Sequence, residues 1–261
     1  MENYTERSIA LITAYVDSFN DLNEIHIRNF AIKKEHLLRV AEIAEFISIR
    51  LELNKSDSSI AKLAALFHDI GRFWQLNKYN TFDDSKSGDH AEFSVEILKR
   101  EKFLKILGCD SEEVVFSAIL THNKFKITEN LNEKELLHAK ILRDADKLDI
   151  LEVLTRFYSQ SNIKPNHSLA WELPKGCNLS ENIERDIWDG KVVQKKDVFS
   201  EIDVKIMQLS WIYDLNFKCS IEYALKRNLF EKIYNSLPQN YKITDIYRKI
   251  KEFGENKIRT Q

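Results

Sequence analysis

Residues 60–71 have the sequence Ile-Ala-Lys-Leu-Ala-Ala-Leu-Phe-His-Asp-Ile-Gly, an apolar run that ends on a histidine and an aspartate. Apolar residues at this density, followed by Gly71, predict a buried helix over about 58–69 with a glycine just past its end. Removing an imidazole and a carboxylate from water is costly unless a partner compensates them. His68 and Asp69 therefore indicate either a cap or salt bridge, or a functional site.

The pattern on both sides of this run is helical as well. Apolar residues recur at intervals of three and four through most of the chain, and only six glycines and three prolines interrupt it. We predict an all-α fold with helices over about 5–19, 33–53, 58–69, 90–107, 111–121, 133–160, 178–188, 198–215, 221–237 and 244–253. Ser56 or Asp57 is expected to begin the third helix. The predicted exceptions are a polar loop over 75–89, an irregular stretch over 161–178 and a short strand over 190–193.

Length and aromatic content bear on the number of domains. A chain of 261 residues forms one large domain or two small ones, and the stretch 161–178 is a candidate boundary. Four aromatic residues in and after this stretch favour later helices that pack back onto the earlier ones; they are Trp171, Trp188, Trp211 and Tyr213. The same side chains could instead line a nucleotide pocket. We predict a single domain over 1–261.

Composition excludes several classes of function. A net charge of −2, with 31% charged residues, gives no basic stripe for a nucleic-acid polymer and no basic face for a membrane surface. Residues 1–20 lack the blocks of a signal peptide, and no run approaches the about 18 apolar residues that span a bilayer. The three scattered cysteines, Cys109, Cys177 and Cys219, predict reduced thiols. We expect a cytoplasmic protein without a membrane partner.

Several predicted helices present a histidine or an aspartate from the row that faces the core. His36 shares its row with Val40, and His122 follows Ile119 by three positions. Asp146 lies on the apolar face of the longest predicted helix. One such residue alone is most simply a satisfied core histidine or a buried salt bridge. Together with the histidine–aspartate pair at 68–69 they favour a metal cluster, because a metal ion compensates a buried carboxylate.

Three motifs carry these residues in a fixed order: Glu35-His36-Leu37-Leu38-Arg39-Val40, His68-Asp69-Ile70-Gly71-Arg72 and Arg143-Asp144-Ala145-Asp146-Lys147. This order resembles that of the HD-domain metal phosphohydrolases. The resemblance covers roughly residues 30–155. It implies a helical bundle with a metal-binding core over about 30–155, followed by a helical extension over about 160–261.

Two further histidines lie between the histidine–aspartate pair and the final aspartate, as in the subset of the family that holds two metals. The ligand set that this resemblance implies is His36, His68, Asp69, His90, His122 and Asp146. In that subset Asp69 would bridge the ions, with His90 and His122 on one of them and the remaining residues on the other. Such ligands suit Mn, Fe, Ni, Co or Zn, and Mg stays open. The implied cofactor is therefore two divalent metal ions of uncertain identity.

The resemblance implies a phosphohydrolase. Its substrate would be a phosphate ester or anhydride of a nucleotide or another small phosphorylated molecule, cleaved by a hydroxide that the metals activate. The candidate catalytic residues are Asp69, Arg72 and Lys147, since Arg72 and Lys147 lie within three positions of a ligand and could bind phosphate. Lys124 and Arg143 are considered for the same role, with solvation at the surface as the alternative. A non-catalytic HD module that binds or senses a nucleotide is the rival function, and the complete ligand set favours the enzyme.

The departures from better-known branches of the family leave the substrate open. The Gly-Tyr-Pro motif of the cyclic-dinucleotide phosphodiesterases is absent between residues 68 and 122. Asp89 and Asp149 are considered as partners that orient a ligand histidine. The remaining histidines, His26, His138 and His167, have no matching context and are expected to be structural or exposed. No nucleic-acid polymer is expected as a partner, and a homodimer is left open.

Overall fold

The computed structural model describes residues 4–20, 22–106, 109–159, 173–174 and 179–260. Throughout these ranges the protein is helical and has no β-strand, which confirms the predicted all-α fold class. The chain divides into two compact units, residues 1–146 and residues 147–261. That the chain is one domain stays a prediction. Among the residues described, no helix is both long enough and apolar enough to cross a membrane.

The first unit contains the helices that position the site. They are α1 (Tyr4–Asp17), α2 (Glu24–Arg50), α3 (Lys55–Phe67), α4 (Gly71–Tyr79), α5 (Asp84–Ser87), α6 (His90–Glu101), α7 (Phe103–Ile106), α8 (Glu112–His122) and α9 (Glu133–Ser159), whose last residues belong to the second unit. α2 packs against α3, α4 packs against α6, and α8 packs against both α3 and α6. Phe67, Phe73 and Ile119 are fully buried in this core. Each such side chain contributes about 1.5–3 kcal/mol of burial free energy.

Two helices of the first unit begin at residues that were not predicted to cap them. α2 begins well before residue 33 because Asn23 caps it, accepting a hydrogen bond from the amide of His26 at 2.9 Å. α3 begins after Asn54, whose side chain accepts from the amide of Asp57 at 2.9 Å. The prediction that Ser56 or Asp57 begins this helix is therefore wrong, since the cap lies two positions before Ser56 and three before Asp57.

The predicted loop over 75–89 is wrong in two places, because α4 continues to Tyr79 and α5 adds a further helical turn. Gly71 also has a different function from the one expected, since it begins α4. A Cβ atom on Gly71 would lie 2.4 Å from the carbonyl oxygen of His90 and 2.6 Å from the amide nitrogen of Ser94. The glycine therefore allows α4 and α6 to cross closely. The Ser94 hydroxyl stabilises this crossing. It accepts a hydrogen bond from the Gly71 amide at 2.9 Å and donates one to the carbonyl of His68 at 2.7 Å.

The second unit contains the end of α9 and the later helices. They are α10 (Glu181–Trp188), α11 (Glu201–Ser210), α12 (Lys218–Lys226), α13 (Leu229–Asn235) and α14 (Tyr241–Thr260), with 3-10 turns at Lys195–Asp197 and Trp211–Asp214. α14 packs against α10, α12 and α13. The predicted helix over 221–237 is split because Asn228, at φ 54°, has a left-handed backbone between α12 and α13. The predicted strand over 190–193 is wrong: the amide of Val193 donates to the Ser210 hydroxyl at 3.0 Å instead of to a neighbouring strand.

Three of the four aromatic residues singled out in the later part of the chain lie in described segments. Trp171 lies outside the described residues. Trp188 is 47% exposed. The ring of Tyr213 packs edge-on against that of Phe253, with 4.7 Å between centroids. That these side chains line a nucleotide pocket stays a prediction.

Two of the three cysteines lie in described segments. Cys219 is buried and Cys109 is half-buried, and neither takes part in a disulfide among the described residues. Burial raises the pKa of the Cys109 thiol, so this side chain is protonated near neutral pH. Cys177 and the irregular stretch predicted over 161–178 lie outside the described residues, apart from positions 173–174.

Candidate metal centre

The six predicted ligand residues come together in the first unit. They are His36, His68, Asp69, His90, His122 and Asp146. Two of them lie inside the long helices α2 and α9, and the other four lie at helix ends, where α3 and α8 finish and α6 begins. All are buried except Asp146, which is partly exposed. Side chains from several helix ends and from the interiors of α2 and α9 therefore meet in one buried, polar cluster.

The carboxylate of Asp69 lies between two groups of histidine nitrogens. Its Oδ2 is 3.7 Å from Nε2 of His36 and 3.8 Å from Nε2 of His68. Its Oδ1 is 3.3 Å from Nε2 of His90 and 3.9 Å from Nε2 of His122. Atoms bound at about 2.1 Å to one ion lie about 3–4 Å from each other. Each group therefore has the spacing of ligands around a shared cation.

Asp146 joins the first of these groups. Its Oδ1 is 3.2 Å from Nε2 of His36 and 3.6 Å from Nε2 of His68. In the set of His36, His68 and Asp146 the ligand atoms all lie within 4.8 Å of one another, as they do in the overlapping set of His68, Asp69 and His122. The described part of the chain thus contains histidine–aspartate clusters that could hold a metal ion.

Two of these histidines are fixed in one tautomer by their other ring nitrogen. Nδ1 of His68 is 2.8 Å from the carbonyl oxygen of Ala65, and Nδ1 of His122 is 2.6 Å from that of Ile119. A carbonyl oxygen can only accept a hydrogen bond, so each Nδ1 carries the proton. With Nδ1 as the donor to a carbonyl, Nε2 is the atom that each ring can offer to a metal ion at the centre.

Asp84 fixes the tautomer of a third histidine. Its Oδ2 lies 2.7 Å from Nδ1 of His90. Burial raises the pKa of Asp84, but the hydrogen bond from His90 and the charge of Arg72 outweigh it and hold the pKa below its usual range. The ionised carboxylate accepts a hydrogen bond from Nδ1, so the proton of the ring lies on Nδ1. Nε2 of His90 therefore faces Nε2 of His122 at 3.1 Å with a lone pair on each atom. Two lone pairs at this distance repel each other unless a cation binds both.

Two buried atoms of the centre lack a hydrogen-bond partner among the described residues. They are Nε2 of His68 and Oδ1 of Asp69. A buried polar atom left unpaired costs about 1–3 kcal/mol. Divalent cations at the centre would compensate both atoms, because each atom can donate a lone pair to a metal ion. The residues of the centre therefore fit a divalent metal.

The protonation states of the centre suit metal binding. Burial raises the pKa of Asp69, but the surrounding groups, of which the Lys33 ammonium is the strongest, together outweigh it and hold the pKa well below its usual range. For Asp146 burial is likewise outweighed, foremost by a hydrogen bond from His36, and the pKa is again well below its usual range. Burial lowers the pKa of His122 to about 3. At neutral pH the centre thus has ionised carboxylates and, at His122, a neutral imidazole.

The sequence analysis missed two residues of this centre, Lys33 and Asp84. The ammonium of Lys33 donates to Oδ2 of Asp69 at 2.7 Å. Lys33 precedes His36 by three positions, which places both on one face of α2, and this spacing was a usable signal. Asp84 gave no such signal. It reaches His90 from a separate one-turn helix, across a turn that no periodic pattern describes.

Of the predicted phosphate-binding residues, Arg72 lies at the centre. Its Nη1 donates to Oδ1 of Asp84 at 2.8 Å and to the carbonyl of Phe82 at 2.6 Å. Its Nε is buried, lies 3.6 Å from Oδ1 of Asp69, and has no hydrogen-bond partner in the described ranges. One edge of the guanidinium is therefore anchored, while Nε faces the carboxylate of Asp69.

The other predicted basic residues have contacts of their own, and the phosphate-binding role of Lys147 stays a prediction. Lys147 belongs to the second unit, where its ammonium pairs with Asp214 at 2.7 Å. Lys124 forms an ion pair with Asp89. Arg143 is buried, and its guanidinium donates to carbonyl oxygens at and beyond the C-terminal end of α8. Arg143 thus satisfies helix-end carbonyls that have no partner within the helix.

Of the two aspartates considered as orienting partners, Asp89 caps a helix in the structure, and the role of Asp149 stays a prediction. Asp89 accepts from the amide of Ala91 at 2.9 Å and so caps α6, while Asp84 contacts the ring of the ligand histidine. Asp149 is buried in the second unit. The interpretation of Asp89 as an N-cap follows from its extended backbone and its place directly before the helix.

The remaining histidines do not belong to the centre. His26 lies 3.1 Å from Oδ1 of Asn80 through its Nε2. His138 is fully buried, and its Nε2 lies 3.3 Å from Oδ1 of Asp57 near the start of α3. Both contacts are structural, as expected. His167 lies outside the described residues.

The all-helical fold and the histidine–aspartate centre agree with the comparison against protein families. The model of the HD-domain family matches residues 34–151 of the chain. This family lies within the superfamily of metal-dependent phosphohydrolases. The chain is also similar to Ribonuclease Y of Mycoplasmoides gallisepticum (strain R(low / passage 15 / clone 2)), at 29% identity over 209 residues, which cover 69% of this chain and 33% of that protein. The chain therefore spans about one third of the length of this relative. No solved structure matches the chain.

Proposed function

We propose that this protein is a metal-dependent phosphohydrolase that cleaves a phosphate ester or anhydride of a nucleotide or another small phosphorylated substrate. The observation that carries the proposal is the position of the Asp69 carboxylate, whose Oδ2 and Oδ1 each face a separate pair of histidines. One ion on each side would share this carboxylate. The proposed cofactor is therefore a pair of divalent ions, from among Mn, Fe, Ni, Co, Zn and Mg.

Two divalent ions about 3.5–4 Å apart lower the pKa of a coordinated water toward neutrality and stabilise charge on a phosphoryl oxygen. The protein's own residues orient the ligands and bind the substrate. The hydrogen bonds to Nδ1 of His68, His90 and His122 fix the planes of three ligand rings. Arg72 has its Nε directed at the bridging carboxylate, and we propose that it binds a phosphoryl oxygen. The same role for Lys147 is weakened by its ion pair with Asp214.

RNA hydrolysis is a second candidate function, and the observation that favours it is the similarity to a protein named Ribonuclease Y. Against it stands the net charge of −2, which provides no general attraction for a polyanion. A non-catalytic module that binds a nucleotide is the third alternative. The six ligand-type side chains that converge at one point favour a catalyst over such a module.

The test is a substrate screen with the purified, manganese-loaded protein. Nucleoside mono-, di- and triphosphates, cyclic nucleotides, dinucleoside polyphosphates and an RNA oligonucleotide are incubated with it, and products are separated by chromatography. We expect turnover of a small substrate that Asp69→Asn abolishes and that Asp110→Asn, an exposed control, retains. Cleavage of RNA alone would favour the second candidate, and nucleotide binding without any turnover would favour the third.

The proposal extends to the setting of the reaction. It includes a cytoplasmic location, which cell fractionation tests, and leaves a homodimer as the oligomeric state to be tested by sedimentation. The small-molecule substrate is its main commitment. It would fail if every small phosphorylated compound in the screen were left intact by protein with full metal content.

A further inference from the structure

We propose that Lys33 makes the centre selective for terminal phosphate groups, as in phosphomonoesters and terminal phosphoanhydrides, over internal phosphodiesters. This inference rests on the proposed function and adds the class of phosphate to it. A phosphomonoester carries close to two negative charges at neutral pH and has three terminal oxygens. A phosphodiester carries one charge and has two terminal oxygens. The number of donors around the centre therefore bears on which of them is bound.

Lys33 lies directly beside the bridging carboxylate. Its Nζ is 2.7 Å from Oδ2 of Asp69, the same oxygen that lies 3.7 Å from Nε2 of His36. The side chain is 18% exposed, so a small anion can reach it. An ammonium has three N–H groups, and within the described ranges Asp69 is its hydrogen-bond acceptor. Further N–H groups of Lys33 therefore remain for a phosphoryl oxygen.

Lys33 and Arg72 flank Asp69 on opposite oxygens. Arg72 approaches Oδ1 through its Nε at 3.6 Å, while Lys33 binds Oδ2. The ring of Phe82 lies against both cations, 5.6 Å from Nζ of Lys33 and 6.0 Å from Cζ of Arg72. The carbonyl of Phe82 in turn accepts from Arg72 at 2.6 Å. This ring keeps the two cations close to the centre and on separate sides of it.

The charge of the centre favours the more anionic substrate. Contacts link three carboxylates and two cations there, namely Asp69, Asp84, Asp146, Lys33 and Arg72. The side chains together carry one net negative charge. Bound divalent ions would make the total charge of the centre positive. When two terminal oxygens of a substrate lie at the ligand centre, a monoester has a third terminal oxygen that can bind Lys33. A diester has none left. The ammonium therefore adds a contact to monoesters that diesters lack.

The competing interpretation gives Lys33 a positioning role, in which it only holds the Asp69 carboxylate in place. The two interpretations differ in what a substitution changes. A positioning residue affects metal retention and all substrates alike, whereas a selective residue affects monoesters alone. Two substrates that share a leaving group separate these cases.

The experiment compares Lys33→Met with Lys34→Met in the full-length, manganese-loaded protein. Lys34 is the adjacent residue of α2, and its ammonium lies 3.6 Å from the exposed Asp17. The substitution Lys34→Met therefore removes an equal charge at a position away from the centre. The substrates are para-nitrophenyl phosphate and bis(para-nitrophenyl) phosphate. We expect Lys33→Met to lower kcat/KM for the monoester by about 10- to 100-fold, the value of a hydrogen bond to a charged group, and for the diester by less than about threefold. Lys34→Met should change neither by more than about twofold.

Two readouts besides activity complete the test. Calorimetric titration with inorganic phosphate should show a matching loss of affinity in Lys33→Met, with manganese content by elemental analysis unchanged. Lys33→Arg keeps the charge and should keep the preference for the monoester, so it serves if Lys33→Met proves unstable to heating. Equal losses on both substrates, loss of manganese, or a wild-type protein that prefers the diester would overturn the selectivity. If the wild type hydrolyses no substrate, the proposed function fails, and phosphate affinity then decides on Lys33 alone.

Discussion

Asparagine in place of Asp84 should weaken metal binding on one side of the centre. In the structure, Oδ2 of Asp84 lies 2.7 Å from Nδ1 of His90, while Oδ1 accepts from Arg72 at 2.8 Å and from Gln75 at 2.9 Å. Asparagine keeps the size of this side chain but removes its charge. The hydrogen bond to the His90 ring then falls to about half of its charge-assisted strength. A less polarised ring is a poorer ligand through Nε2.

The expected loss follows from the kind of contact. Removing the partner that orients a ligand histidine lowers metal affinity by about 10- to 100-fold. That corresponds to about 1.4–2.7 kcal/mol of binding free energy. The loss should be confined to the ion near Oδ1 of Asp69, which His90 and His122 face. The ion near Oδ2 should bind within about twofold of its wild-type affinity, because its own histidines are unchanged.

Calorimetric titration of the metal-free protein with Mn²⁺ measures both binding events. The matched control is Asp83→Asn, which removes an equal charge one position away. Asp83 caps α5 by accepting from the amide of Ser85 at 3.1 Å, and asparagine caps a helix equally well. We expect the control to bind both ions normally. If Asp84→Asn retains both affinities as the control does, the reasoning that Asp84 orients His90 is refuted.

Three further substitutions test other features of the first unit. Asp69→Ala should lose metal and hydrolysis together, since one carboxylate serves both sides; full metal content by elemental analysis would contradict the shared ligand. Gly71→Ala places a Cβ 2.4 Å from the carbonyl oxygen of His90, so the resulting backbone shift should cost about 1–3 kcal/mol and lower the melting temperature by several degrees. An unchanged melting curve would show that the crossing of α4 and α6 can widen freely. Arg143→Met should cost about 1–3 kcal/mol in urea denaturation, because the carbonyls at the end of α8 lose their donor; a loss below about 0.5 kcal/mol would mean that water replaces it.

The ligand candidates were predictable because each of them follows a local rule. His36, His122 and Asp146 lie in apolar rows of three- and four-residue spacing, and the histidine–aspartate pair directly follows an apolar helix. Such rows face the core whatever the details of packing, so the side chains on them meet. Their role as ligands stays a prediction. The overall helical class was equally predictable, given the few glycines and prolines.

What the sequence did not reveal depends on contacts between distant segments. The predicted helix over 33–53 begins at Lys33, whereas α2 begins at Glu24 and Lys33 lies within it. Asp84 was placed in a loop, and its contact with His90 requires the α4–α6 crossing that Gly71 permits. Local periodicity does not determine the residue at which a helix begins. It also does not determine how closely two helices cross.

The carbonyl contacts of His68 and His122 have a consequence for how quickly the centre can take up a metal. Each Nδ1 binds a carbonyl three residues earlier, in the last turn of its own helix. The rotamer of each ring is thus selected by local backbone as the helix forms, and its conformational entropy is lost during folding. An arriving ion meets donors that need no search among side-chain conformations. The rate of metal uptake would then be limited by the loss of the ion's hydration water. The same helix end could also be introduced into another helical bundle with its histidine already oriented.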